Sequence, residues 1–148
     1  MNEVVVLRPE EPAVGPQQVP ALVGISRQSV GAQGLALALT TFPPGASTTA
    51  HVHRGYETAI YTVEGAVALF YGNELEHVAV LAEGSFCYIP PDVPHKAYNL
   101  SETDASRFVS ARNDPVDPEN VVVTPTADDG SSDERARELR KRFAVGGV

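Results

Sequence analysis

The chain of 148 residues has one cysteine, 11 lysines and arginines against 19 aspartates and glutamates, and no apolar run near the roughly 18 residues of a membrane span. A single cysteine excludes an internal disulfide and any thiolate-rich zinc cluster, so a metal would have to rely on imidazole and carboxylate. Cys87 itself lies in "SFCYIP", which reads as a buried strand, where a lone cysteine is packing rather than a nucleophile. The net charge of -8 opposes nucleic-acid binding, which needs a basic footprint against phosphate. The cations of "RARELRKR" follow directly on "ADDGSSDE" and read as one solvated helix. No membrane contact is expected. The opening "MNEVVVLRPEEP" lacks a basic segment followed by an apolar one, so no secretory signal is expected and the cytoplasm is the predicted location. No repeat of solenoid period is present.

Turn signals are abundant: "TFPPGAS", "EGA", "YGNE", "LAEGS", "PPDVP" and "NDPVDPEN" recur at intervals of about eight to twelve residues. Short segments rich in Val, Ile, Leu, Tyr and Thr lie between them, the pattern of an all-β sandwich or barrel. Strands are expected at 4–7, 35–42, 50–53, 58–63, 66–71, 75–81, 85–89, 96–99, 107–111 and 121–123. Only the end reads as helix. Ser131 with Glu134 makes a capping box, Ala136, Leu139, Phe143 and Ala144 form an apolar stripe, and acids precede cations as the helix dipole favours. This gives a barrel over residues 1–124, with strands at both ends, and a linker and amphipathic helix over 125–148. The helix packs on the barrel or on a partner subunit.

The four histidines are His51, His53, His77 and His95. In a strand, residues two apart face the same way, so His51 and His53 can converge on one ion. "GASTTAHVHRGYETAIYTVEG" and "GSFCYIPPDVPHKAYN" resemble the two motifs of the cupin superfamily, small double-stranded β-helix (jelly-roll) barrels that hold a metal. The first motif is carried by Gly45, His51, His53, Glu57 and Gly65, and the second by Gly84, Pro90, His95 and Asn99, with Asp92 where the family has glycine. The resemblance covers roughly residues 35–111. One spacing departs from it: counting back from Gly65, the family's carboxylate would fall on Thr58, one residue beyond Glu57. Strand side chains alternate, so a slip of one residue turns Glu57 away from the metal unless a bulge absorbs it.

His77 is the candidate for that vacancy. "FYGNELEHVAV" reads as a hairpin turning at Gly72 and Asn73, which sets Ala68 opposite His77, with Ala66, Phe70, Leu75 and Ala79 on the same face and Val67, Leu69, Val78 and Val80 on the other. "ETAIYTVEG" followed by "LEH" also resembles the cupin subgroup of zinc polyketide cyclases of the resistomycin type, whose metal is held by four histidines. That resemblance implies His51, His53, His77 and His95 as ligands and Glu57 as a neighbouring group or general base.

An all-imidazole site suits zinc, and also iron, nickel or copper. The resulting expectation is one divalent metal ion, zinc first, and a small-molecule substrate cyclised by an aldol-type closure with the metal as Lewis acid. The alternatives are a metal-dependent dioxygenase and a small-molecule-binding barrel without catalysis. Valine-rich outer faces and open edge strands lead to an expected homodimer.

Overall fold

Buried positions alternate with more exposed ones along several segments, and that period of two makes strand. In β3 (Ala36–Phe42) the inward positions Ala36, Ala38, Thr40 and Phe42 are buried, and in β5 (Thr58–Glu64) the same holds for Thr58, Ile60 and Thr62. The computed structural model describes residues 3–116 and 119–146. The remaining strands are β1 (Ala13–Val14), β2 (Pro20–Ile25), β4 (His51–His53), β6 (Ala66–Tyr71), β7 (His77–Ala82), β8 (Phe86–Ile89), β9 (His95–Asn99), β10 (Ser106–Arg112) and β11 (Val121–Val123). They form two antiparallel sheets, in the orders β1-β2-β3-β10-β5-β8 and β11-β4-β9-β6-β7. No helix among the described residues is long and apolar enough to cross a membrane.

The core between the sheets gathers Val19, Phe42, Ile60, Val67, Leu69, Leu81, Ile89, Ala97 and Phe108. A second core lies outside the five-stranded sheet, where Phe70, Leu75, Tyr98 and Leu100 pack with Ala136, Leu139 and Phe143 of α2 (Ser131–Ala144). This cover is why β6 is buried on both faces although it borders a solvent-facing layer. The helix is tied down by charge as well. Lys96 Nζ donates to Asp128 at 2.8 Å and Asp133 at 3.1 Å, and Arg140 donates to the Asn99 carbonyl at 2.9 Å.

Several expectations are corrected. The run 4–7 forms no strand: Val4 is 95% exposed and Val6 85%, and β-prone side chains make strand only where a pleated surface receives them. β1, β2 and a short helix α1 (Arg27–Val30) replace it, in a segment whose mixed composition gave no clear period. The β6–β7 turn runs through residues 72–76 and pairs Tyr71, not Ala68, with His77. The physical reason is Leu75, which takes a φ of 55° and drops its side chain, 1% exposed, into the second core. The register moves with it, so Val67, Leu69, Ala79 and Leu81 face the lumen while Ala66, Ala68 and Phe70 face α2. The interior wall is therefore branched aliphatic rather than alanine-rich. The cap of α2 also differs. Gly130, with φ of 87°, is the N-cap, and Asp129 accepts from the Ser131 amide.

Two motif residues turn out to be scaffold. Gly65 has a φ of 76°, and a Cβ there would lie 2.3 Å from Ser106 Oγ, so only glycine lets β5 turn into β6 beneath β10. Asn99 is fully buried; its amide donates to the carbonyls of Phe42, Pro43 and Asp104, and its oxygen accepts from Ser101 and Ser106.

Candidate metal centre

Two neighbouring strands of the five-stranded sheet build the site. β4 turns His51 and His53 into the lumen, and His51 pairs directly with His95, the first residue of β9. Opposed Cα atoms lie about 4.5–5.5 Å apart, so the rings must meet. The ring centroids are 4.3 Å apart for His51 and His95, 4.7 Å for His53 and His95, and 5.3 Å for His51 and His53. One ligand atom from each of the three histidines lies within 4.8 Å of the others, and all three residues are buried.

The loop that delivers His95 is fixed from below. Asp92 takes the family glycine's place at a φ of 60°, a conformation aspartate tolerates better than most side chains. Its amide donates to the His53 carbonyl at 3.0 Å, which fastens the proline-rich turn to β4.

The tautomers follow from the outer nitrogens. His51 Nδ1 is 2.7 Å from the Thr49 carbonyl and His95 Nδ1 is 2.8 Å from the Val93 carbonyl. A carbonyl only accepts, so each Nδ1 carries the proton and each Nε2 offers a lone pair. His53 Nδ1 is held at 2.6 Å by Thr58 Oγ1, which leaves its Nε2 facing the cavity too. Burial pushes all three pKa values down. His53 falls to about 2, with the charges of His95 and His51 adding to burial, and His95 falls to about 3, with His51 as the second cause. His51 shifts the same way, opposed in part by the Thr49 carbonyl. His51 and His95 turn Nε2 lone pairs toward one point, and His53 does the same when its Nδ1 donates to the Thr58 hydroxyl, a donor set that suits a borderline metal cation.

The structure does not bring His77 to this cluster. Tyr71 pairs with both His95 and His77, so His77 sits two strands away from His95, on the order of 10 Å at ordinary strand spacing. Its side chain is 61% exposed, beside Glu76 at 3.7 Å and against the Tyr71 ring. Nor does it bring Glu57, which is exposed on the outer face and accepts from Tyr88 at 2.8 Å and Asn113 at 3.0 Å. Thr58, at the position the family gives to a carboxylate, points inward and holds His53.

Glu119 is the residue missed in the sequence. Its Oε1 lies 3.6 Å from His53 Nε2 and accepts from Tyr56 Oη at 2.7 Å, and its Oε2 is 3.9 Å from Arg112. Tyr56 stacks on the His53 ring at 5.2 Å, nearly parallel. In the structure β11 pairs with β4 so that Val121 opposes His53, which places Glu119 on the histidine face just beyond it. The cavity they share is about 60 Å³, floored by the histidines and walled by Phe42, Ile60, Leu69 and Phe108.

Three buried histidines converging in the lumen of a double-stranded β-helix make a candidate metal site on a barrel of the cupin type. The family profile described as "Cupin domain" matches residues 38–111, half of the sequence, and the chain belongs to that family. No curated protein sequence matches it. Among solved structures, an uncharacterised protein with a double-stranded β-helix domain from Klebsiella pneumoniae aligns at 19% identity and a TM-score of 0.60, over 78% of this chain and 84% of that one. An oxalate oxidase aligns at 17% identity and 0.62, over 89% and 75%. The oxalate decarboxylase of Bacillus subtilis aligns at 20% identity and 0.63, over 77% of this chain but only 29% of its own. At these identities the likeness is one of fold.

Proposed function

We propose that the protein is a metal-dependent enzyme acting on a small organic molecule, with His51, His53 and His95 holding one divalent ion. The observation that carries this reading is the convergence of three buried histidines, each with one ring nitrogen within 4.8 Å of the others, on a single cavity. Bound there, a divalent ion supplies Lewis acidity toward a carbonyl or carboxylate oxygen. Neutral imidazoles leave the ion's full charge in place, and the apolar walls exclude water and strengthen every electrostatic contact inside.

The cavity volume of about 60 Å³ bears on the substrate. Sites for drug-sized ligands span roughly 300–1,000 Å³, so a flat polycyclic chain undergoing ring closure fits poorly, and a small chelating oxygen compound fits better. The enolate-stabilising chemistry of a cyclase is retained in this reading; the polyketide is not. Oxygenation of a similarly small substrate is the second reading, favoured by a donor set that holds iron, nickel or copper as readily as zinc.

Elemental analysis of protein purified without chelator or metal-affinity tag tests the proposal. One equivalent of metal in the parent protein, lost in His53→Ala, is the expected result. Tight zinc without oxygen uptake selects Lewis-acid chemistry, and substrate-dependent oxygen consumption with iron or nickel selects oxygenation. Metal-free parent protein that takes up none of these ions on titration would overturn it.

A further inference from the structure

We infer that Glu119 supplies the carboxylate of the metal centre, delivered by the segment leading into β11 in place of the position that Thr58 occupies. The inference rests on the metal reading above. Three observations carry it. The inward position on β5 holds a hydroxyl, 2.6 Å from His53 Nδ1, and a hydroxyl used there is not an anionic donor. Both other carboxylate or imidazole candidates are outside the lumen, Glu57 on the outer face and His77 at the exposed rim. Glu119, by contrast, lines the histidine cavity itself.

The spacing to His53 matches a ligand, while Glu119 stands outside the group that the three histidines form within 4.8 Å of one another, so its carboxylate would swing inward to share an ion with His51 and His95. Two donors each about 2.1 Å from one ion are separated by roughly 3.0–3.4 Å for right-angled to tetrahedral arrangements, and Glu119 Oε1 lies 3.6 Å from His53 Nε2. The residue is also held for the purpose from three sides. Tyr56 donates to Oε1, Arg112, itself buried, faces Oε2, and the pairing of β11 with β4 fixes the backbone. Tyr56 in turn is stacked on the ring of His53, so the carboxylate and the imidazole share one support. An anion so placed lowers the net charge of the occupied centre from +2 to +1.

Chelator-competition titration with zinc alone, and the visible spectrum of the cobalt-substituted protein, provide the test on the full chain. Glu119→Gln keeps size and the Tyr56 contact and should weaken zinc at least tenfold and change the cobalt ligand-field bands. Glu57→Gln should leave both unchanged. If the parent protein binds zinc and Glu119→Gln binds it equally with an unchanged cobalt spectrum, the inference is overturned while the three-histidine site stands. If the parent binds neither ion, both fall. Circular dichroism of each variant separates loss of fold from loss of ligand.

Discussion

Without metal, this protein should lose stability as pH falls from 7 to 5, and the loss should come from the three lumen histidines. In the unfolded chain a histidine titrates near 6.5 and takes up a proton across this window. In the folded protein His53, with its pKa near 2, and His95, near 3, stay neutral throughout. The unfolded state therefore binds more protons, so stability is complete above about pH 6.5 and declines as pH drops toward the folded values. Linkage gives about 2 kcal/mol for each of the two between pH 7 and pH 5, roughly 4 kcal/mol together. His51 shifts in the same direction and steepens the decline. At this chain length the melting temperature should fall by on the order of 10 °C.

The measurement is urea and thermal unfolding of chelator-treated protein at pH 7, 6 and 5, in a His77→Gln background so that the exposed histidine adds nothing. Carboxylates titrate mostly below this window and contribute little. The comparison variant carries His53→Asn and His95→Asn and should show a markedly flatter profile. Parallel pH dependence in the two proteins would refute the reasoning, since it would assign the slope to other groups. Saturating zinc should raise the parent's stability by a similar amount at each pH, because ligands that stay neutral from pH 7 to 5 do not lose the metal to protons.

Other perturbations follow from single contacts. Thr58→Val removes the group that orients His53 and should weaken zinc by about 10–100-fold with little change in fold, measured by chelator competition. Lys96→Met leaves Asp128 and Asp133 without their shared cation; both are partly exposed, so the loss should be about 1–2 kcal/mol, with faster amide exchange confined to α2. Gly65→Ala drives a methyl into Ser106 and the strained φ together, and should cost more than about 2 kcal/mol in urea unfolding.

Alternation along single strands was legible in the sequence, and most of the site with it. His51 and His53 share a face because they are two apart, and His95 joins them through a motif whose glycine position tolerates Asp92. The one-residue displacement of Glu57 was legible for the same reason, and its side chain does lie on the outer surface beside Tyr88. Pairing between strands was harder to read. The His77 register depended on whether the turn held two residues or five, and that was decided by Leu75 gaining burial under a helix some 60 residues later. Glu119 was hidden because β11 is three valines whose pairing partner nothing in the sequence names, and only the sheet order places it beside β4.

Strand β9 carries His95 inward and Lys96 outward on consecutive residues, one toward the lumen and the other clamped to the start of the α2 segment. Prying the terminal helix loose therefore tugs on the same short stretch of backbone that presents an imidazole. A nick in the 3-10 turn Pro125–Ala127 should be felt as a weaker hold on the ion, well before the barrel itself comes apart.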